Sequence, residues 1–563
     1  MLPSSLTALI AGALAAVASA KVVKYNWDVT WVNAAPDGFS RPVIGVNNQW
    51  PCPEIRATEG DTIRVKMNNK LGNQTASIHF HGINQISTNW MDGPSFATQC
   101  PVPPGESITY EFVADTAGTY WWHSHNMGQY PDGFRGPLIV EDRRDPNRGS
   151  YDEERILTIS DWHHEQSLKL GKAFLNPGNP LGIPPRADSI LLNDGRGADY
   201  DFKAGKKYRF RIINMSASAS AMIDFDSLDM EVIMNDAAHV KKQKVDQLRI
   251  TPAQRYDVVV KAKGNRREKR NFGFLVSLDT NRDHTQPGAR WQLNQTGYLV
   301  MDPSKEKKPV VVDAWNPVDD SKFKPRNNAK ILPAPDKTLV FTFEHCADEH
   351  GILRHCVNGS PFVNPKVPTL YTAATTGEHN TNETVYGPVH PFIVSSGDIV
   401  DIVVNNHDVG VHPFHLHGHH FQVLTRPFTG AGDWSGSSDE LNKRPPRRDT
   451  VSVYGNSHAV LRFEADNPGV YLFHCHIEWH VEMGLSATII EAPDVLRDIA
   501  IPNDHINACK KAGIPFEGNA AGNVDEPLDT TGIEYDPPLE YTGAEWIPTL
   551  IPRFRRSRVA RLA

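Results

Sequence analysis

The sequence lacks three features that would assign it to other protein classes. No apolar run of membrane-spanning length follows residue 500, so we expect no membrane span. A net charge of −8 at pH 7 and a pI near 6.3 argue against a nucleic-acid partner. The six cysteines include no Cys-x2-Cys pair, which argues against a structural zinc site. These absences argue against three classes: a membrane-spanning protein, a nucleic-acid-binding protein and a zinc-stabilised protein.

Long helical patterns are also missing, and short strand patterns take their place. The 563 residues contain 42 prolines and 41 glycines, and runs of Val, Ile, Thr and Tyr recur between them. We therefore predict an all-β chain of several domains. Strands are predicted over residues 62–67, 108–112, 208–213, 256–260 and 399–404.

The most informative segment is residues 474–480, HCHIEWH, which holds three imidazoles and one thiol within seven residues. A thiolate with two imidazoles and a weak or absent axial ligand describes a blue copper electron-transfer centre. Successive side chains on a strand point to opposite faces. Cys475 is therefore predicted to bind one copper, while His474 and His476 reach a second site.

A near-repeat indicates where the second site receives its other ligands. Residues 112–125 read FVADTAGTYWWHSH and residues 463–476 read FEADNPGVYLFHCH, with the terminal histidines in register. Ser124 stands where the later copy has Cys475. The first copy is therefore predicted to supply histidines to a shared cluster without forming a blue site.

Two further His-x-His pairs lie upstream of these copies, so the chain has four. Eight paired histidines suit a three-copper cluster and leave His412, Cys475 and His480 for the blue copper. Isolated histidines are usually structural, but four pairs and a cysteine in repeat register favour copper. The paired residues are His79 with His81, His123 with His125, His415 with His417, and His474 with His476.

These motifs resemble the multicopper oxidases, whose four signatures match HFHG, WWHSH, HPFHLHGH and HCHIEWH in order. The resemblance covers roughly residues 21–493. It is strongest to the fungal ferroxidases of iron uptake and their pigment-forming, laccase-like relatives. The resemblance implies three cupredoxin-type Greek-key β-sandwich domains. The predicted segments are a signal peptide at 1–20, domains at 21–145, 146–310 and 330–500, a linker at 311–329, and a C-terminal extension with a basic tail at 501–563.

The resemblance also implies four copper ions and a role for each ligand. His412, Cys475 and His480 would hold the type 1 copper, and His79 and His415 the type 2 copper. The type 3 pair would be held by His81, His123, His125, His417, His474 and His476.

Three neighbouring positions complete the implied site. Leu485 occupies the place of an axial methionine, and an aliphatic residue there should raise the reduction potential. Asp92 and Glu478 match the acidic residues that supply protons during dioxygen reduction. For Asp92, a turn residue before Gly93 is an equal alternative.

Secretion is predicted from the N-terminal segment and from glycosylation patterns. The apolar residues 1–20 end in Ala18-Ser19-Ala20, a cleavage pattern, so we expect a secreted or cell-surface protein. Five Asn-x-Ser/Thr patterns, which are acceptors for glycosylation in secreted proteins, begin at Asn73, Asn214, Asn294, Asn358 and Asn382.

The resemblance implies a Cys100–Cys509 disulfide. Cys346 and Cys356 could close a local loop and leave Cys52 free, a pairing that the sequence leaves open.

The two groups of relatives that the chain resembles differ in the reducing substrate that they oxidise. The ferroxidases bind Fe(II) with carboxylates beside the type 1 copper, and Asp408 and Asp279 match two such positions. Either aspartate could instead be a turn or capping residue. The family's iron-binding glutamate has no counterpart, although Asp188 could substitute for it, and Phe362 replaces a tyrosine.

These departures, and the lack of a C-terminal anchor, favour a laccase-like enzyme. We expect one-electron oxidation of phenolic or polyketide-derived aromatics, for pigment or secondary-metabolite biosynthesis, coupled to reduction of O2 to water. The alternative is a secreted ferroxidase that oxidises Fe(II) to Fe(III), for which an iron permease would be a partner. A non-catalytic copper-binding protein is the alternative from another class.

Overall fold

A computed structural model describes residues 20–226, 228–262, 270–278, 294–497, 499–538 and 545. Strands dominate this part of the chain and form six sheets there, which confirms the all-β prediction. Each of three successive segments contributes two sheets that pack around an apolar core.

The first segment forms a four-stranded sheet in the order β2-β1-β4-β6 and another in the order β3-β8-β7-β5. Its core contains Trp27 and Trp122, whose ring centroids lie 4.6 Å apart. The strands are β1 (Val22–Ala34), β2 (Arg41–Val46), β3 (Ile55–Thr58), β4 (Thr62–Asn69), β5 (His79–His81), β6 (Ser107–Val113), β7 (Gly118–His123) and β8 (Arg135–Glu141).

The second segment forms sheets in the orders β10-β9-β12-β17-β14-β15 and β11-β19-β18-β13-β16. The strands are β9 (Glu153–Trp162), β10 (Ser189–Leu192), β11 (Asp199–Asp201), β12 (Lys207–Asn214), β13 (Ala221–Phe225), β14 (Met230–Asn235), β15 (Ala238–Val245), β16 (Gln247–Ile250), β17 (Arg255–Lys261), β18 (Phe272–Leu278) and β19 (Asn294–Val300).

The third segment forms sheets in the orders β22-β21-β20-β24-β29-β26-β27 and β23-β31-β30-β25-β28. The strands are β20 (Lys337–Ala347), β21 (Leu353–Val357), β22 (Ser360–Pro361), β23 (Pro391–Val394), β24 (Ile399–Asn406), β25 (His412–Leu416), β26 (Phe421–Thr425), β27 (Arg447–Arg448), β28 (Thr450–Val453), β29 (Ser457–Glu464), β30 (Gly469–Cys475) and β31 (Ser486–Glu491).

Helices are short and lie between or after the sheets. Within the described residues, none has both the length and the apolar character needed to cross a membrane. The α-helices are α1 (Ser167–Phe174), α2 (Thr369–Thr375), α3 (Glu478–Glu482), α4 (Pro493–Leu496) and α5 (Asn503–Ala512).

The five strands predicted from sequence all form, and each is two residues longer than predicted. In β4, Ile63, Val65 and Met67 are buried while the residues between them are more exposed, the two-residue period of a strand with one face on the core. The pattern therefore identified the element, and pairing with neighbours set its ends.

Both cysteine pairings form. Cys100 bonds to Cys509 and thus ties α5 to the first segment, and Cys346 bonds to Cys356 across the hairpin of β20 and β21. Cys52 is a buried free thiol, and burial raises its pKa to about 12.

Some sequence predictions fall outside the described residues, and one is wrong. Of the predicted signal peptide only Ala20 is described, and Asp279 lies outside the description altogether. Asn214 is not an available glycosylation site, because its side chain is fully buried and its amide donates to the carbonyl oxygens of Ala219 and Ile250.

Candidate copper centres

Two strand pairs, one from the first segment and one from the third, bring the paired histidines together. In the β5–β7 pair His79 lies opposite His123, and in the β25–β30 pair His415 lies opposite His474. Directly opposed residues of antiparallel strands share a face. The four His-x-His motifs therefore converge between the two segments.

The converging imidazoles form overlapping groups of three whose ring nitrogens lie within 4.8 Å of one another. Nε2 of His474 lies 3.1 Å from Nε2 of His417 and 3.5 Å from Nε2 of His125. The rings of His81 and His415 stack with centroids 3.8 Å apart. The groups are His79, His81 and His415; His81, His123 and His476; and His125, His417 and His474.

Hydrogen bonds from the outer ring nitrogens fix the tautomer of four of these imidazoles. In each, Nδ1 donates to a backbone carbonyl oxygen at 2.8–2.9 Å, so that Nε2 keeps its lone pair and faces the cluster. The pairs are His79 with Asp92, His123 with Ser124, His415 with Asp449, and His474 with Cys475.

The inward nitrogens fit a metal and are difficult to explain otherwise. Nε2 of His79, His123 and His415 and Nδ1 of His81 are buried and have no hydrogen-bond partner among the described residues, an arrangement that proteins avoid unless the atom is a ligand. Burial, with repulsion from neighbouring imidazolium groups, lowers the pKa of His123 and His415 well below its ordinary value. Both imidazoles are thus neutral and able to bind a metal.

A second group lies on the other side of β30. Sγ of Cys475 is 3.6 Å from Nδ1 of His412 and 3.6 Å from Nδ1 of His480, and the two nitrogens are 3.0 Å apart. The backbone N–H of Ile477 points at Sγ from 3.4 Å. Leu485 is fully buried, and its carbonyl oxygen accepts from the N–H of Cys475 at 3.1 Å.

The two groups are joined through adjacent residues. His474 faces the histidine cluster while Cys475 faces His412 and His480, as strand alternation predicted. Because Nδ1 of His474 donates to the carbonyl oxygen of Cys475 at 2.8 Å, a hydrogen bond and one peptide connect the sulfur with the cluster.

Asp92 is fully buried between two of the cluster histidines. Its Oδ2 accepts from Nδ1 of His417 at 2.7 Å, and its Oδ1 lies 3.2 Å from Nδ1 of His79. Gly93 follows with φ +98°, and a Cβ there would lie 1.8 Å from the carbonyl oxygen of Ile78. Asp92 is therefore both part of a tight turn and a contact of the cluster.

Glu478 begins α3 directly after the cluster residue His476. Burial, reinforced by the charge of Glu482, raises the pKa of Glu478 well above its ordinary value. Its side chain lines a cavity of about 340 Å³ that also reaches His125 and Met127. Glu478 thus holds its proton more tightly than an exposed carboxyl group does, and it lines a cavity that reaches the cluster residue His125.

The sequence patterns did not predict the polar side chains that contact the cluster histidine His81. Asp449 and Thr450 reach Nε2 of His81 at 3.3 Å and 3.2 Å, and Arg255 of the second segment binds both carboxylate oxygens of Asp449. Arg255 thus comes from the segment of the chain that holds no His-x-His pair and no cysteine. The run Arg448-Asp449-Thr450 was the available signal.

Two histidines near Cys475 were also missed. The ring of His355 lies 5.4 Å from that of His412 and 4.8 Å from that of His480, and His345 stacks on His355 at 4.5 Å. The sequence signal was the repeated His-Cys dipeptide, His345-Cys346 and His355-Cys356, which the disulfide joins.

Of the residues predicted to contact a reducing substrate, Asp279 lies outside the described residues and the others have the following surroundings. Asp408 is buried, and its Oδ2 accepts from Nε2 of His412 at 2.8 Å. Asp188 accepts from the backbone N–H of His164 at 2.8 Å. Phe362 lines the same cavity as Glu478.

Paired β-sheets that mix parallel and antiparallel strands, with converging imidazole pairs and one cysteine, define the class of cupredoxin-fold copper proteins. Comparison with known sequences narrows this class. The multicopper oxidase family matches residues 28–145, 153–303 and 362–495, and the chain belongs to that family. It is a copper-dependent oxidoreductase with O2 as the acceptor, so the hypothesis of a non-catalytic copper protein is wrong.

Similar proteins share almost the whole chain. The iron transport multicopper oxidase of Epichloe festucae is 44% identical over 94% of this chain and 85% of its own length. The iron transport multicopper oxidase of Saccharomyces cerevisiae is 36% identical over 93% of this chain and 84% of its own. The crystal structure of Fet3p, a multicopper oxidase that functions in iron import, matches with a TM-score of 0.86 at 35% identity, over 92% of this chain and 98% of its own.

The prediction of a laccase-like enzyme acting on aromatics is wrong. The laccase of Botrytis aclada matches less well, with a TM-score of 0.77 at 26% identity over 88% of this chain and 92% of its own. The relatives named for iron transport reach 36–44% identity across the chain. The missing glutamate and Phe362 had favoured a laccase-like enzyme, but identity over almost the whole chain outweighs two changed positions.

Proposed function

We propose that the chain is a ferroxidase that couples oxidation of four Fe(II) to reduction of one O2. Four Fe(II), one O2 and four protons would give four Fe(III) and two waters. The observation that carries the proposal is the hydrogen bond between Asp408 and His412, which joins a carboxylate to the cysteine-containing group. The iron transport relatives support the same substrate.

The two oxygens of Asp408 have different surroundings. Oδ2 accepts from Nε2 of His412, whose Nδ1 lies 3.6 Å from Sγ of Cys475. Oδ1 accepts from the N–H of Val409 at 2.6 Å and lies 3.8 Å from Nδ1 of His345. An Fe(II) ion at Oδ1 would thus be one hydrogen bond and one imidazole from the cysteine group. Hard oxygen ligands favour Fe(III), so the carboxylate also makes the iron a better reductant.

The chain is proposed to bind four copper ions, with the ligands implied by the resemblance. His412, Cys475 and His480 would hold type 1 copper, His79 and His415 type 2, and the other six paired histidines the type 3 ions. Bound copper would supply one-electron uptake from iron and four-electron reduction of dioxygen.

The acidic residues are proposed to hold and deliver the four protons that the reaction consumes. Burial raises the pKa of Glu478 well above its ordinary value, and its side chain lines the cavity that also reaches His125. Asp92 contacts Nδ1 of His417 and Nδ1 of His79, so it orients both imidazoles from one side of the cluster. Two carboxyl groups would thus serve one buried reaction site.

We also propose that the enzyme works outside the reducing cytosol. The Cys100–Cys509 and Cys346–Cys356 disulfides form and persist in oxidising compartments. This supports the predicted secretory route to the cell surface. An iron permease, which would take up the Fe(III) produced, is the partner that follows from the proposed reaction.

The test is oxygen uptake by copper-loaded protein with Fe(II) and with a panel of phenols, corrected for Fe(II) autoxidation. We expect a clear preference for Fe(II) in kcat/KM. Asp408→Ala should lower kcat/KM for Fe(II) by about 10–100-fold. The matched control is Asp433→Ala. Asp433 is exposed and pairs with His407, the residue directly before Asp408, so its loss should change neither activity.

Because Asp408 also holds His412, the reduction potential of the blue centre should be measured in both variants. A preference for phenols in the unmodified protein would overturn the proposed function. Equal loss of iron and phenol oxidation in Asp408→Ala would remove Asp408 from the iron site.

A further inference from the structure

We propose that His345 is a second protein ligand for the substrate iron, next to Asp408. The inference rests on the ferroxidase function proposed above and names a residue of that site. His345 and Asp408 come from different strand ends, β20 and the segment after β24, and their side chains meet beside the cysteine group.

The β20–β21 hairpin holds the His345 imidazole in place. His345 lies directly opposite His355, and the next residue, Cys346, is bonded to Cys356. The two imidazoles stack at 4.5 Å, and His355 is fully buried against the rings of His412 and His480. One imidazole of the stack is thus anchored in the interior and positions the other.

His345 is the accessible member of this pair. Its side chain is 36% exposed, whereas that of Asp408 is 4% exposed. An ion from solution can therefore reach the imidazole first and the carboxylate behind it. This suits a substrate ion, which has to leave again after oxidation.

The spacing of the two donor atoms fits one shared ion. Nδ1 of His345 lies 3.8 Å from Oδ1 of Asp408, which is too long for a hydrogen bond. First-row divalent ions bind such atoms at about 2.0–2.2 Å, so donors up to about 4 Å apart can share one ion. Imidazole and carboxylate are both accepted by Fe(II), and water would complete a weak site.

The orientation of Asp408 sets the direction in which an electron would pass from the iron to the cysteine group. Its Oδ1 faces His345 while its Oδ2 accepts from His412, so the iron and the cysteine group occupy opposite sides of one carboxylate. Each Fe(II) would lose one electron through Asp408 and His412 and leave as Fe(III), with the electron consumed in the reduction of O2.

The experiment compares His345→Ala, His345→Asp and His350→Ala as copper-loaded full-length proteins. His350 lies on the turn of the same hairpin, is 33% exposed and pairs with Glu349, so it controls for loss of a surface histidine. Steady-state kcat and KM are measured for Fe(II) and for a bulky organic one-electron donor. The blue absorption and reduction potential report on the cysteine group.

We expect His345→Ala to raise KM for Fe(II) about tenfold, with kcat/KM for the organic donor and the potential unchanged. His345→Asp restores an iron ligand, so it should recover most of the Fe(II) affinity, which a role in packing alone would not explain. His350→Ala should match the unmodified protein.

Unchanged KM for Fe(II) in His345→Ala would overturn the inference and leave the ferroxidase function intact. Equal loss of iron and organic-donor oxidation, or no recovery in His345→Asp, would also overturn it by indicating a structural role. If the unmodified protein fails to prefer Fe(II), the proposed function and the inference both fail.

Discussion

Arg255 and Asp449 form a bidentate ion pair next to the histidine cluster. Nη1 lies 2.7 Å from Oδ1 and Nη2 lies 2.5 Å from Oδ2, and the two side chains are 0% and 1% exposed. Asp449 also contacts His81, and its carbonyl oxygen accepts from Nδ1 of His415. The middle segment of the chain therefore holds an anion that orients cluster histidines from the other two segments.

Removing the cation of this pair should destabilise the protein strongly. Arg255→Met leaves Asp449 buried without its main partner, which typically costs about 3–5 kcal/mol. The measurement is the free energy of unfolding from denaturant titration, together with copper content, which should fall as His81 loses its orientation.

The control is Arg56→Ala, which breaks an exposed pair with Glu141. The Arg56 side chain is 48% exposed, so this change should cost less than about 1 kcal/mol. Similar losses for the two variants would show that the buried pair contributes no more than a surface pair.

Copper analysis checks the assignment of the cysteine group. Cys475→Ser should abolish the blue absorption and Fe(II) oxidation and lower the copper content from four to three ions per chain, because a hydroxyl is a poor copper ligand. Cys52→Ser changes the other free cysteine, whose Sγ contacts the carbonyl oxygens of Ile44 and Gly133 in the first segment. A blue band that survives Cys475→Ser, or that is lost in Cys52→Ser, would refute the assignment.

The carboxylate of Asp92 should matter for oxygen reduction and much less for iron oxidation. Asp92→Asn keeps the shape of the residue but removes its charge, and we expect kcat to fall about 100-fold or more. During turnover the blue absorption should stay bleached, because its reduction by Fe(II) outpaces its recovery by O2.

The control for Asp92 is made within the same variant. Bleaching of the blue absorption by Fe(II) without oxygen, followed by stopped flow, should keep its rate. A blue band that recovers at the normal rate in Asp92→Asn would show that this residue does not participate in dioxygen reduction.

The two disulfides should differ in their contribution to stability. The Cys100–Cys509 bond spans 409 residues and the Cys346–Cys356 bond spans 10. Loop-closure entropy then makes loss of the first costlier than loss of the second by about 3 kcal/mol. Denaturant midpoints of the two double Cys→Ala variants provide the measurement, and equal midpoints would contradict this entropic account.

The sequence by itself determined the strands and the grouping of the paired histidines and Cys475. Apolar alternation identified β4, and the same two-residue period separated Cys475 from His474 and His476, because both depend only on neighbouring residues in one strand. The repeat of the FVADTAGTYWWHSH pattern indicated a shared cluster for the same local reason.

Only the tertiary structure decided what surrounds those groups. Arg255 and Asp449 are 194 residues apart, and His345 meets Asp408 across two strands, so no spacing rule connects them. Their contacts arise where sheets pack, and packing depends on the whole chain. The same holds beside Cys475, where side chains from distant strands lie within a few ångströms of one another and no local pattern places them there.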